Sequence, residues 1–185
     1  MDSYIGALGS GTLRAMILLV VPGAIAVLPW FGVAYYSSDE LKAFVDAHPS
    51  QAGSVLVILI MAAGMILTSL GSWIEFVWDW CRNRKGGKHT EDWYAYLRLS
   101  YEHEPVGHRY IRDMVLSLRF ELSATPALIA GPGVVFLGFW PGGGTSTYGI
   151  LAFACAAYLL FESWSTNGAL GTVREQLLNS SGKSA

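Results

Sequence analysis

The chain has 185 residues, of which 52% are hydrophobic and only 14% charged, with a net charge of −2. A soluble globular domain carries about 25% charged residues, so this composition excludes an ordinary water-soluble fold. The averaged charge says little about partners; its distribution says more, because most charges lie between Asp79 and Arg119.

The first apolar run, Ala15–Tyr36, has roughly the 20 residues that a helix needs to cross a ~30 Å hydrocarbon core. Arg14, Met16–Val21 and Ala24-Ile25-Ala26 resemble a secretory signal with its cleavage site. Hydrophobicity nevertheless continues through Val27–Tyr36, too long for a signal, so a retained helix is expected. Pro22 and Pro29 lie inside it and predict a kink or local unwinding. After it, Asp39–Ala47 reads as a short amphipathic helix with Ser38 as N-cap and Leu41, Phe44 and Val45 on one face.

The second run, Ser54–Val77, carries Gly64, Thr68 and Ser72 every four residues, with Glu75 and Asp79 continuing the stripe. Small residues at this spacing allow close helix approach, since packing drives association in lipid. The stripe is read as packing within the bundle or, alternatively, as the wall of a small oligomeric cation channel.

Between the second and third runs lie Arg82, Arg84, Lys85, Lys88, Arg98, Arg109 and Arg112. Clusters of this kind hold a loop on the cytoplasmic side and attract anionic lipids; nucleic acid is not an expected partner. Within the loop, Glu91–Tyr101 is a predicted helix capped by Thr90 and dense in aromatics, with Trp93, Tyr96 and Tyr101 as candidate docking residues. His103-Glu104-Pro105-Val106-Gly107-His108 is close to the zinc-protease pattern, but its histidines are five apart instead of four. Pro105 and Gly107 also break the helix that pattern needs, so the segment reads as a turn before a second helix starting at His108. A membrane-embedded metal-dependent hydrolase is therefore the third-ranked function. No metal or cofactor site is expected, and Cys81 and Cys155 have no metal-site spacing.

The third run, Met114–Trp140, is interrupted by Pro126 and Gly131-Pro132-Gly133, and the fourth, Tyr148–Trp164, carries Ala152 and Ala156 on a second small-residue face. The connection through Pro141-Gly142-Gly143-Gly144 makes these two spans antiparallel neighbours. Glu75, Arg119, Glu121 and Glu162 lie within or at the ends of apolar runs and, with Asp79, form an expected charge cluster at the inner mouth of the bundle. Pairing between Glu75 or Asp79 and Arg112 or Arg119 is expected there.

The fold class expected is thus an all-α membrane bundle of four spans, near 15–36, 54–78, 114–140 and 147–165. A cytoplasmic interfacial helix pair occupies loop 79–113, and a cytoplasmic tail runs over 166–185. The function expected is non-catalytic: an oligomeric scaffold, sensor or subunit of a membrane complex, docking a cytoplasmic partner through the basic, aromatic loop. The setting expected is a bacterial inner membrane with both termini cytoplasmic. In a cysteine-free background, Ser38→Cys and Thr145→Cys should react with an impermeant thiol reagent on intact cells, and Lys88→Cys should not. Labelling of Lys88→Cys from outside would invert the orientation.

Overall fold

The computed structural model describes residues 2–84, 106–140 and 146–181, with side chains placed over 16–81, 110–140, 146–173 and at Gln176. Every element in these stretches is helical. Helix α1 (Asp2–Ser37) is followed by the short α2 (Asp39–Ala47), and α3 (Pro49–Arg84) returns. Helix α4 (Val106–Leu128) continues into two π-helical segments, Ile129–Gly133 and Val135–Phe139, and α5 (Ser146–Ser181) closes the chain. Four stretches are long and apolar enough to cross a membrane: Met16–Ser37, Pro49–Cys81, Tyr110–Phe139 and Ser146–Val173. The expected loop helix Glu91–Tyr101, with Lys85, Lys88, Trp93, Tyr96, Tyr101, His103 and Glu104, lies outside the described residues, as does Pro141–Thr145.

Helix α2 starts as its sequence dictates: the Ser38 side chain accepts from the Leu41 N–H at 3.2 Å, satisfying a donor that the first turn leaves open. Asp39 and Glu40 in that turn face the positive end of the helix dipole. The α1–α2–α3 turn is further held by the Tyr35 hydroxyl, which donates to Asp46 at 3.3 Å.

The helices do not form a square bundle. Among the described residues, α4 with its π-helical extension is the hub: α1, α3 and α5 all pack on it, α1 and α3 also pack on each other, and the backbone of α5 touches no other long helix. The best apolar window of Tyr110–Phe139 is accordingly 44% buried, against 11% for that of Pro49–Cys81, so the third span is the most enclosed of the four and the second the least. Trp78 and Trp164 reach past α4 to meet edge-on at 5.4 Å. Below them Ile111, Leu118, Leu122 and Leu170 form an apolar core, flanked by Ile74, Met114 and Val173.

Backbone contact sets these positions. A Cβ on Gly23 would strike the carbonyl of Ile60, and one on Gly64 the carbonyl of Leu19, so α1 and α3 cross with their backbones touching. Gly71 meets Leu122 and Ser123 of α4, and Gly131 meets Ile25 and Ala26 of α1. Such approaches supply the dispersion contact that drives helix association where no hydrophobic driving force exists.

Several expectations need correction. Helix α1 does not unwind at Pro22 or Pro29; among the described residues the winding changes in the third span, around Pro132. Helix α4 begins at Val106, so Gly107 lies inside it and not in a turn. Residues 166–181 continue α5 as helix, and Asn167 and Leu170 are buried. The buried line on α3 runs through Gly64, Leu67 and Gly71, leaving Thr68 half-buried and Ser72 exposed, because a four-residue step outruns the 3.6-residue turn.

Gly64→Ala should lower unfolding stability in detergent by about 1–3 kcal/mol, the usual cost of overpacking. Gly53→Ala, with open space around its Cβ, should be neutral or stabilising by up to ~1 kcal/mol. Equal effects from the two substitutions would mean that the α1–α3 crossing is looser than described.

Candidate functional site

The seam between α4 and α5 concentrates the buried polarity of the chain. On α5 the buried line runs through Gly149, Ala152, Ala156, Ser163, Asn167 and Leu170, a stripe of small and polar side chains at helical spacing. On α4, Glu121, Leu122, Ser123, Ala124 and Thr125 are buried in succession, as a hub position requires. Most hydroxyls here satisfy themselves against the turn before. Thr125 donates to the Glu121 carbonyl at 2.8 Å, Ser123 to the Arg119 carbonyl at 2.8 Å and Ser163 to the Leu160 carbonyl at 3.0 Å.

Glu121 is different. Its side chain is only 7% exposed; Ser117, one turn earlier, donates to Oε1 at 2.9 Å. The second oxygen, Oε2, is buried with no hydrogen-bond partner among the described residues. Across the seam Glu162 lies close enough for the two carboxylates to interact electrostatically. Tyr158, one turn before Glu162 on α5, brings its hydroxyl within hydrogen-bonding reach of that carboxylate. Glu162 is half-buried and Tyr158 and Ser117 are exposed, so the buried Glu121 lies beneath a group that opens at the edge of the seam.

Of the charge cluster expected at one end of the bundle, the structure therefore brings Glu121 and Glu162 together. Arg119 is exposed; two positions along a helix turn a side chain by about 200°, so it cannot share the face of Glu121. Glu75 and Asp79 are half-buried on α3, a different neighbour of α4. Arg112 is exposed, and the side chains of Arg82, Arg84 and Arg109 lie outside the described set. Ala152 and Ala156 are buried in the seam and Gly64 in the α1–α3 crossing, which takes Gly64 away from any pore wall in this packing.

Comparison with known proteins adds nothing to this geometry. No protein-family profile, no curated protein and no solved structure matches the chain.

Tyr158, Ser117, Ser163 and Asn167 were not legible as site residues. The first pair sit one turn from a carboxylate on their own helices, a spacing that any helix offers by chance. Ser163 and Asn167 do extend the Ala152/Ala156 line, and that continuation was the available signal. Among the described residues no three histidine, cysteine or acidic side chains gather as a metal site would need.

A second opening lies between α1 and α4, an apolar groove of about 280 Å³ lined by Ile17, Leu18, Leu116 and Phe120, with Asp113 at its polar edge. It contains no reactive side-chain pair.

Because Glu121 is buried with one oxygen unmatched, replacing it by an apolar side chain of similar size removes a desolvation cost. Glu121→Leu should therefore leave thermal stability in detergent unchanged or raise it. Ser117→Ala, which strips the remaining donor from a buried acceptor, should lower it by about 1–3 kcal/mol. A large loss from Glu121→Leu would reveal a structural partner for this carboxylate.

Proposed function

We propose that the protein is a non-catalytic, multi-pass membrane protein that serves as a scaffold, sensor or subunit of a larger membrane complex, with its basic, aromatic loop docking a cytoplasmic partner. The observation that carries this reading is the length and packing of the helices at the charged end. Helices α3 and α5 each have 36 residues, which at ~1.5 Å per residue is about 54 Å, well beyond a ~30 Å hydrocarbon core.

The aromatic end fixes where the excess falls. Trp30 with Phe139, Tyr36 with Trp140, and Phe136 with both Trp140 and Tyr148 form ring contacts at 5.1–6.0 Å. A belt of this kind belongs at headgroup level. Counting ~20 residues inward from Trp140 reaches Phe120. Ile111, Met114 and Leu118 of α4, with Leu170 and Val173 of α5, then lie past the hydrocarbon and pack there around Trp78.

The ends of α3 and α4 that carry Arg82, Arg84, Arg109 and Arg112 thereby emerge on a helical stem with a core of its own. Its loop is presented to the cytoplasm and to anionic headgroups. The cation distribution supports an orientation with this stem and both termini inside. Such a stem positions a partner at a set height above the membrane, which suits an assembly role better than a reaction. The exposed apolar faces of α3 and α5, with Ile58, Met65, Ile150 and Phe161 pointing outward, are available to lipid or to neighbouring copies.

Trp93→Ala, Tyr96→Ala and Tyr101→Ala together should release the co-purifying cytoplasmic partner while leaving insertion and melting temperature unchanged. Retention of the same partners at the same yield would reject the docking role.

A further inference from the structure

We propose that Glu121 and Glu162 hold a small monovalent cation, a proton or a sodium ion, in the seam between α4 and α5. Two carboxylates from facing helices interact here, and Glu121 Oε2 is buried without a hydrogen-bond partner among the described residues. An anionic oxygen buried away from water without a donor is costly, and more so with a second carboxylate beside it. A bound cation removes both costs at once.

The charged surroundings fit a cation and no anion. Among the described side chains, α1 has no charged one over Met16–Ser37, and α3 has Glu75 and Asp79, both acidic. Helix α5 contributes Glu162 and Tyr158, and on α4 itself Arg119 is exposed on another face, with Arg112 and Asp113 two turns or more away along the helix. The available ligands are all oxygens, from Ser117, Glu121, Glu162 and Tyr158. Oxygen donors suit hard cations. Ser117 already satisfies Glu121 Oε1, so a single positive charge at Oε2 is what the buried oxygen lacks. Entry is lateral, past the exposed Tyr158 and the half-buried Glu162. The site is independent of the docking reading above: loss of either would leave the other standing.

The test uses the full chain in lipid nanodiscs and dicyclohexylcarbodiimide, an apolar reagent that modifies protonated carboxyl groups in apolar surroundings, with the modified residue located by peptide mass spectrometry. Glu121 should be modified in mildly acidic, sodium-free buffer. If the occupant is a proton alone, modification should fall severalfold as pH rises and be indifferent to sodium. If it is sodium, modification at constant pH should be suppressed by sodium chloride and not by choline chloride. Glu162→Gln should weaken cation binding, so suppression of Glu121 modification should need lower pH for deprotonation or more sodium for protection. Either pattern of suppression, together with that shift, supports the site. Absence of modification at Glu121 at every pH, modification that responds to neither pH nor sodium, or a Glu162→Gln protein with unshifted behaviour would overturn it.

Discussion

Close backbone approach at glycine is the constraint on which the rest of this structure depends. Lipid is as apolar as leucine, so helices gain nothing by hiding aliphatic side chains from it and associate through packing. Here the tightest packing is carbonyl against glycine. Gly23 and Gly64 lock α1 to α3, Gly71 sets α3 on α4, and Gly131 sets α1 on the π-helical extension of α4. Gly149 in turn sits against Leu137 and the Gly133 carbonyl. With α1, α3 and α5 each fixed on α4, the third span has protein on most sides and can carry polar side chains that a lipid-facing helix could not.

The same crowding explains the change of winding in the third span. Pro132 has no N–H to give and its ring crowds the preceding turn; here the chain has π-helical turns between small, buried glycines. A carbonyl within that disturbed turn is met by another span: the Trp30 indole N–H donates to the Ala130 carbonyl at 2.7 Å. One tryptophan thus belongs to the aromatic belt through its ring contact with Phe139 and supplies the backbone of a neighbour with a donor. Pro22 and Pro29 produce no comparable change in α1. The difference is one of context, since the third span combines its proline with two flanking glycines that let neighbours close in.

The spans, the Ser38-capped helix and the antiparallel placement of the last two spans were legible in the sequence because hydropathy and capping are local signals. The packing face of α3 was only half legible: Gly64 stood out, but a period of four led to Ser72, while the true line turns to Leu67 and Gly71. Residues beyond Trp164 looked like a tail because Thr166 and Asn167 are polar, yet those side chains face or flank the α4–α5 seam, where a polar residue is less costly than on the lipid side. Glu121 stood among several equally suspicious charges. What separates it from Arg119 is the sheath around α4, a tertiary fact with no local trace.

The measurement that bears most directly on this account is photolabelling of the unaltered protein in nanodiscs by a phospholipid with a photoactivatable acyl chain, read peptide by peptide. The structure predicts labels on the outward faces of α3 and α5, around Ile58, Met65, Ile150 and Phe161, and none over Glu121–Ala127, where α4 is enclosed. Acyl-chain labels recurring with helical period across Glu121–Ala127 would show a lipid-facing third span and contradict the hub on which the packing and the carboxylate site both rest.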